Sequence, residues 1–345
     1  MWHHLKYLFA FALPLGILIS FSQEGWWFYH PVLFSFIIVP ILDAVIPKDE
    51  SNISNLNEGK LRKSYWFRIL LYLIVPVHFY VLYQFATLEF NQLSSFEVVG
   101  AITAAGMSCG VLGINVGHEL GHKNHGFDKF MAHLLLMSSL YMHFYIEHNY
   151  GHHNRVATKE DPATARKGEW LYAFWFRSII GSYFSAWEIQ LKLLNNKSFF
   201  SWKNNMLIYH IVQPLFVLSI AYFFGLSAML YFLVVAVFGV LLLETVNYIE
   251  HYGLMRKKKG SSYERTTFEH SWNSDHVFGR IVLFDLSRHS DHHYKSTRPY
   301  QILRHHDKSP QLPGGYPAMM LLSMVPPLWF YVVDKRLNNN MKQTC

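Results

Sequence analysis

The sequence predicts an all-α integral membrane protein: about six transmembrane helices, a His-rich cytoplasmic metal-binding end and one partly embedded helix. Three observations predict it. Hydrophobic residues make up 51% of the 345-residue chain and aromatics 17%, against only 15% charged. Runs of about 20 apolar residues, enough at 1.5 Å per residue to cross a bilayer, recur along it. Short histidine clusters stand where several of those runs end. The formal charge of +7 fits the positive-inside bias of cytoplasmic loops, and no nucleic-acid-binding motif is present.

The first run, Leu5 to Phe21, has His3, His4 and Lys6 at its start; Ser20-Phe21-Ser22 is a weak cleavage signal, and an uncleaved first span is the expectation. Trp26 to Ile46, Tyr65 to Ala86 and Phe96 to Gly117 follow, with Pro14, Pro31, Pro40 and Pro76 predicting kinks. Lys48, Lys60, Arg62, Lys63 and Arg68 lie between the second and third spans, whereas Thr87 to Phe96 carries no Lys or Arg. That asymmetry puts the amino terminus inside and the end of span four at the cytoplasmic face. Phe130 to Ile146 is apolar but short for a crossing, and a single crossing would carry the next histidines to the opposite side. It reads as partly embedded or re-entrant. Met206 to Phe224 and Leu226 to Tyr248 complete six spans, and Ala318 to Val333, with Pro326 and Pro327, reads as interfacial. The basic segments Lys159 to Lys203 and Arg256 to Arg304 then fall on the cytoplasmic side. No internal repeat is evident, and residues 1 to 345 read as one membrane-embedded domain.

The histidine clusters are His118 and His122; His148, His152 and His153; His251; and His289, His292 and His293. Spacings of i, i+4 on a helix place His118 with His122, His148 with His152 and His289 with His293. Nine imidazoles exceed one tetrahedral ion, so a pair of transition metals is implied. His118-Glu119-Leu120-Gly121-His122 also fits the HExxH zinc-protease pattern, but a protease needs one further ligand and leaves most of the other histidines without a purpose. Zinc has no redox chemistry, whereas a nitrogen-rich site for two iron ions can activate O2. Glu119, Glu147, Glu250 and Asp291 stand beside cluster histidines; each can orient a ring by accepting its second N–H, or is a solvated surface carboxylate. Glu250 is the strongest of these, because His251 is the one cluster member without a histidine neighbour. His270, His276, His305 and His306 share the region but stand outside the clusters. The two cysteines, Cys109 and Cys345, form no CxxC pair, so no rubredoxin domain is fused and electrons must come from another protein.

In HELGHK (His118 to Lys123), EHNYGHH (Glu147 to His153), VATKEDPATAR (Val156 to Arg166), NYIEHYGL (Asn247 to Leu254), HSWNSDH (His270 to His276) and RHSDHHY (Arg288 to Tyr294), the chain resembles the integral-membrane alkane monooxygenases. These are the AlkB family of the histidine-box hydroxylases and desaturases, and the resemblance covers roughly Tyr65 to Leu337. It implies a non-haem di-iron centre on the nine clustered histidines in the bacterial inner membrane. It also implies insertion of one atom of O2 into the terminal methyl of an n-alkane, giving a 1-alkanol, with the other atom leaving as water. Electrons would pass from NADH through a reductase to rubredoxin. Arg256 to Lys259, with Arg265, Arg288, Lys295, Arg298 and Arg304, then either dock an acidic carrier or form a solvated positive-inside loop. The alkane would enter from the lipid along a dry channel whose depth sets chain length. Ser35, Gly106 and Gly110 serve that depth or simply helix packing. An aryl-methyl (xylene-type) hydroxylase, a lipid desaturase, a membrane zinc metalloprotease and a membrane metal-binding or transport protein are the other readings.

Overall fold

A computed structural model describes residues 2–343, so Cys345 lies outside the described residues. It is mostly helical, and among the described residues six helices are long and apolar enough to cross a membrane: His3–Phe21, Gly25–Val45, Tyr65–Ala86, Ser95–Gly121, Asn205–Phe224 and Leu226–His251. The protein is a multi-pass membrane protein. Proline leaves its mark where the sequence predicts kinks. The second span is assembled from short helical pieces, with Pro31 and Pro40 each at the start of an α segment and a π segment, Phe34–Ile38, between them. Pro76 by contrast sits inside one unbroken helix.

Packing divides the chain into two units, neither contiguous in sequence. The first comprises Met1–Ile37, Tyr65–Glu147 and Tyr183–Leu243. Small residues let its helix backbones approach closely. A Cβ on Gly106 would meet the Phe238 ring at 2.5 Å, one on Gly110 would meet Leu242 at 3.1 Å, and one on Gly239 would meet the Cys109 Cβ at 2.6 Å. An apolar core of Phe28, Phe85, Phe90, Ala101, Ala105 and Phe232 lies beside that seam. The stretch Phe130 to Ile146 is no crossing. Its helix, Gly126–Ser138, has 13 residues, about 20 Å at 1.5 Å each, short of the hydrocarbon thickness. It ends at a turn where Leu140 takes φ +54°. It lies against the end of span four, where a Cβ on Gly117 would touch the Leu136 side chain at 3.2 Å.

The second unit comprises Ile38–Ser64, His148–Ser182 and Glu244–Cys345. Its irregular segments are held by buried charge rather than by extended secondary structure. Asp43 accepts from the backbone N–H of Phe278 (2.7 Å) and Gly279 (3.1 Å), capping the helix Val277–Val282. Arg288 donates to Asp275 at 2.9 Å and to the carbonyls of Leu303, Asp49 and Ser51. Arg280 donates to Asp49 at 2.6 Å. Each guanidinium ties together loops far apart in sequence, which its fork of donors suits it to do. The two helices Tyr316–Ser323 and Pro326–Gln343 meet at Pro326, so the run Ala318 to Val333 is two short helices and not a span. Leu171–Leu194 is a 24-residue helix that no apolar run announces.

Candidate metal centre

His152, His251, His289 and His293 are all buried and present four ring nitrogens that lie within 4.8 Å of one another. The Nε2 atoms of His152 and His293 are 3.2 Å apart and those of His251 and His289 are 3.1 Å apart. Nitrogens bound about 2.1 Å from one ion stand roughly 3 to 3.4 Å apart in octahedral or tetrahedral geometry, so the two pairs are spaced as a shared ion requires. The protonation states suit ligation too. Burial, reinforced by the neighbouring imidazoles, pushes the His293 pKa well below its usual value, which leaves the ring neutral with a lone pair to donate. His152 has its other nitrogen fixed: Nδ1–H donates to Asp161 at 2.9 Å, which turns the Nε2 lone pair toward the other three rings. Burial alone would raise the Asp161 carboxyl. The hydrogen bonds it accepts from His152 and, at 2.6 Å, from Thr164 reverse that and hold it below the usual carboxyl range.

His148, His153 and His292 form a second set in the same unit. The Nε2 atoms of His148 and His153 are 3.0 Å apart, and the His292 ring centroid is 4.9 Å from that of His153. The α-helical spacing that joins His148 to His152 is corrected here by a local feature. Glu147–His152 is a π-helix. Its i→i+5 hydrogen bonds add a residue to the turn, so the imidazole that returns to His148 is His153, while His152 swings to the other set. In the helix His289–Tyr294 the sets part again, with His289 and His293 on one and His292 with the other. The sets are neighbours, since the rings of His153 and His293 are 4.5 Å apart. In the first unit, His118 and His122 close their own pair, Nε2 to Nε2, at 3.0 Å.

The carboxylates have distinct placements. Glu250 Oε2 lies 3.1 Å from His289 Nε2, and its Oε1 accepts from the Tyr316 hydroxyl at 2.7 Å. Glu119 pairs with Lys123 at 2.6 Å, and Glu147 accepts from Ser185 at 3.2 Å. Asp291 accepts from Arg298 at 2.6 Å, His306 at 2.8 Å and the Arg304 N–H at 2.9 Å. It holds the following loop, and burial, which raises its pKa, is outweighed by the His306 and Arg298 hydrogen bonds, which lower it. The other histidines of this region find partners away from both sets. His270 meets Glu264, His276 meets Ser274, and His305 bridges Asp275 and Asp307. Among the basic residues, Arg265 and Lys295 are exposed. Arg288 is corrected as a docking residue: it is buried and spent on Asp275 and three carbonyls. Arg298 and Arg304 are engaged by Asp291 and Glu58. Asp161 and Tyr316 carry no spacing signal; both reach the site from loops or helix starts whose course the sequence does not reveal.

Six apolar helices and largely buried, imidazole-only sets that could hold metal ions define a membrane protein of the histidine-box class, and residues 94–323 match the fatty acid desaturase family. Within that class, the alkane 1-monooxygenase of Acinetobacter baylyi is 40% identical over 313 residues, 89% of this chain and 76% of its own. That of Pseudomonas putida is 38% identical over 95% of this chain and 83% of its own. The hydroxylase component XylM of the Pseudomonas putida xylene/toluene monooxygenase is 27% identical over 95% of this chain and 87% of its own. The chain belongs to the alkane 1-monooxygenase (AlkB) family of oxidoreductases.

Proposed function

We propose that this chain hydroxylates the terminal methyl of n-alkanes to 1-alkanols, using O2 at a non-haem pair of iron ions held by nine histidines. The observation that carries the reading is the four-imidazole set at ion-sharing distances in a chain alkane 1-monooxygenases match over most of its length. His152, His251, His289 and His293 would hold one iron. His148, His153 and His292 serve the other, with His118 and His122 completing the nine.

An unactivated methyl offers no acid, dipole or leaving group, so the oxidising power is the metals' and the protein supplies binding and exclusion of water. The imidazoles would hold both ions without adding negative charge, and Asp161 orients His152. Glu250 stands beside His289, with its other oxygen held by Tyr316. The alkane arrives from the lipid phase, in which it dissolves. Electrons come from NADH through a separate reductase and rubredoxin, which docks by its acidity on Lys257, Lys258, Lys259, Arg265 and Lys295, all exposed. The basic segment Lys48 to Arg68 supports a cytoplasmic position for this end of the protein, in the bacterial inner membrane. The whole chain works as one enzyme domain.

Membranes containing the chain, supplied with NADH, reductase, rubredoxin and alkanes of several lengths, yield 1-alkanols, and the purified protein carries about two irons per chain. One zinc per chain, or products only from fatty acyl lipids, overturns the reading. The relation to XylM gives the second reading, aryl-methyl hydroxylation, which products from methylarenes alone would establish.

A further inference from the structure

We propose that a non-spanning face of the second unit, built from the start of Leu171–Leu194 and the helices Tyr316–Ser323 and Pro326–Gln343, inserts into an anionic phospholipid leaflet. The inference is independent of the reaction assigned above.

Pro326–Gln343 is two-sided. Trp329, Val333 and Leu337, at i, i+4 and i+8, are fully buried, and Trp329 packs on Tyr248 and Tyr252 at the end of the sixth span, with ring centroids 5.2 and 5.4 Å away. The helix is therefore fixed at the level where a span leaves the membrane. Its other side is sorted along its length: Leu328 (53% exposed) and Tyr331 (79%) come first, and Lys335 and Arg336 follow. Leu321, Met324 and Val325 extend the apolar part backwards. The start of Leu171–Leu194 is tied to the same place, because the Tyr172 hydroxyl donates to the Met324 carbonyl at 2.8 Å. It adds Trp170 and Phe176, the latter 72% exposed. Arg177, which would otherwise interrupt that face, is drawn back onto Glu169 at 2.6 and 2.7 Å and onto the carbonyls of Pro162 and Thr164.

A soluble surface does not leave this much apolar and aromatic area contiguous. A protein partner and a bilayer are the two coverings, and three observations favour the bilayer. The patch continues from the exit of a span. Its aromatic residues, Trp170, Tyr172 and Tyr331, are of the amphipathic kind that collects at membrane interfaces. Its margin is cationic, with Arg166, Lys167, Lys335 and Arg336 around the apolar centre, and Lys167 bridges the two parts by donating to Asn338 at 2.8 Å. Lys335 and Arg336 also line a groove with Tyr331, where two cations and a phenol hydroxyl suit a phosphodiester headgroup; Ser309 and Gln311 in its wall donate to protein oxygens, and Asp307 marks its acidic end. An apolar face rimmed by cations is the pattern of an in-plane anchor.

The intact iron-loaded protein, with Cys345→Ser, is reconstituted in nanodiscs of phosphatidylcholine and phosphatidylglycerol and nitroxide-labelled at Phe176→Cys, Leu328→Cys or Asn339→Cys. Equal helical circular dichroism and an equal thermal midpoint certify each variant. Collisions with O2 should exceed those with a water-soluble nickel chelate several-fold at 176 and 328, with the order reversed at 339. Chelate collisions dominating at 176 and 328, or burial there only after a soluble protein is added, overturn the proposal. Native mass spectrometry in detergent should find phosphatidylglycerol retained by the wild type and largely lost from K335E/R336E. Equal retention overturns the headgroup assignment.

Discussion

At the residue scale the decisive contact is the one that fixes a ring without touching the ion. Asp161 is fully buried, accepts from His152 Nδ1 at 2.9 Å and is braced by Thr164 at 2.6 Å, whose own oxygen accepts from the Ala157 N–H. Asp161→Asn retains the shape but replaces an acceptor that forces one tautomer with a group that can donate instead. Outer partners of ligating histidines typically contribute 10- to 100-fold in metal affinity. Chelator competition should therefore show iron bound roughly 10- to 100-fold more weakly in the variant, with helical circular dichroism unchanged; an unaltered affinity would deny Asp161 this role. Tyr316 is the residue-scale counterpart for Glu250. Tyr316→Phe removes one hydroxyl from a fully buried pair and leaves a carboxylate oxygen without its donor. A cost of about 1–3 kcal/mol is expected for such an orphaned group, read as a lower midpoint in denaturation of the metal-free protein. An unchanged midpoint would show that the oxygen finds another donor.

At the element scale, what was legible divides according to the physics that fixes each segment. The six spans were legible because the bilayer demands about 20 apolar residues in succession, a signal that needs no partner. Leu171–Leu194 was not, because Arg177, Glu188 and Lys192 interrupt its hydropathy, and only the tertiary pairing of Arg177 with Glu169 shows how such a helix keeps an apolar face. The histidine clusters were legible by spacing, but their division was not. A π-turn depends on where the flanking segments are held, and it moved His148 from His152 to His153. Two predictions belong to single helices. Gly239→Ala sets a Cβ 2.6 Å from the Cys109 Cβ and 3.1 Å from the Gly110 backbone nitrogen, which cannot yield without moving a span. Overpacking of this kind costs typically 1–3 kcal/mol. Gly59→Ala, in the helix Asn55–Lys63 with open space around it, should be neutral or stabilising by up to about 1 kcal/mol. Thermal midpoints in one detergent compare the two, and equal effects would refute the close-packing account. The same helix Asn55–Lys63 is pinned by Glu58, which accepts from Arg304 at 2.6 Å and Arg62 at 3.0 Å. Those hydrogen bonds lower the Glu58 pKa from 4.5 to about 2. A depressed carboxyl lends its stability fully above its unfolded value and loses it as pH falls through the folded one. Backbone hydrogen exchange across Asn55–Lys63, corrected for intrinsic rate, should accelerate as pH drops from 4.5 toward 2 and show no such step between 6 and 8. Arg304→Ala should flatten that step, and an identical step in that variant would assign it to another group.

At the scale of the whole molecule, the two units are held by different forces, and metal should separate them. The first unit is a set of membrane helices packed through Gly106, Gly110 and Gly239, with its apolar residues in lipid or in one another. Nothing in that packing needs an ion. In the second unit, His152, His251, His289 and His293 come from three separate stretches of chain. Arg280 and Arg288 clamp the surrounding loops, but they do not hold the imidazoles themselves against one another. An ion bound only by the folded arrangement adds RT ln(1 + [M]/Kd) to its stability, about 2.7 kcal/mol at a hundred times Kd and about 4.1 at a thousand times. Stripping iron with a chelator should therefore raise hydrogen exchange in residues 147–155 and 289–306 by roughly two to three orders of magnitude, the same free energy read as a rate. Exchange within Tyr65–Ala86 should stay as slow as before, because that span's hydrogen bonds are shielded by lipid and neighbouring helices. Returning iron should restore protection. Asp161→Asn should recover it only at a higher iron concentration, by the factor its weakened affinity predicts. Exchange that rises equally in the span and in the histidine segments would mean that the metal supports the entire fold, and exchange that does not change would mean that the imidazoles are held without it.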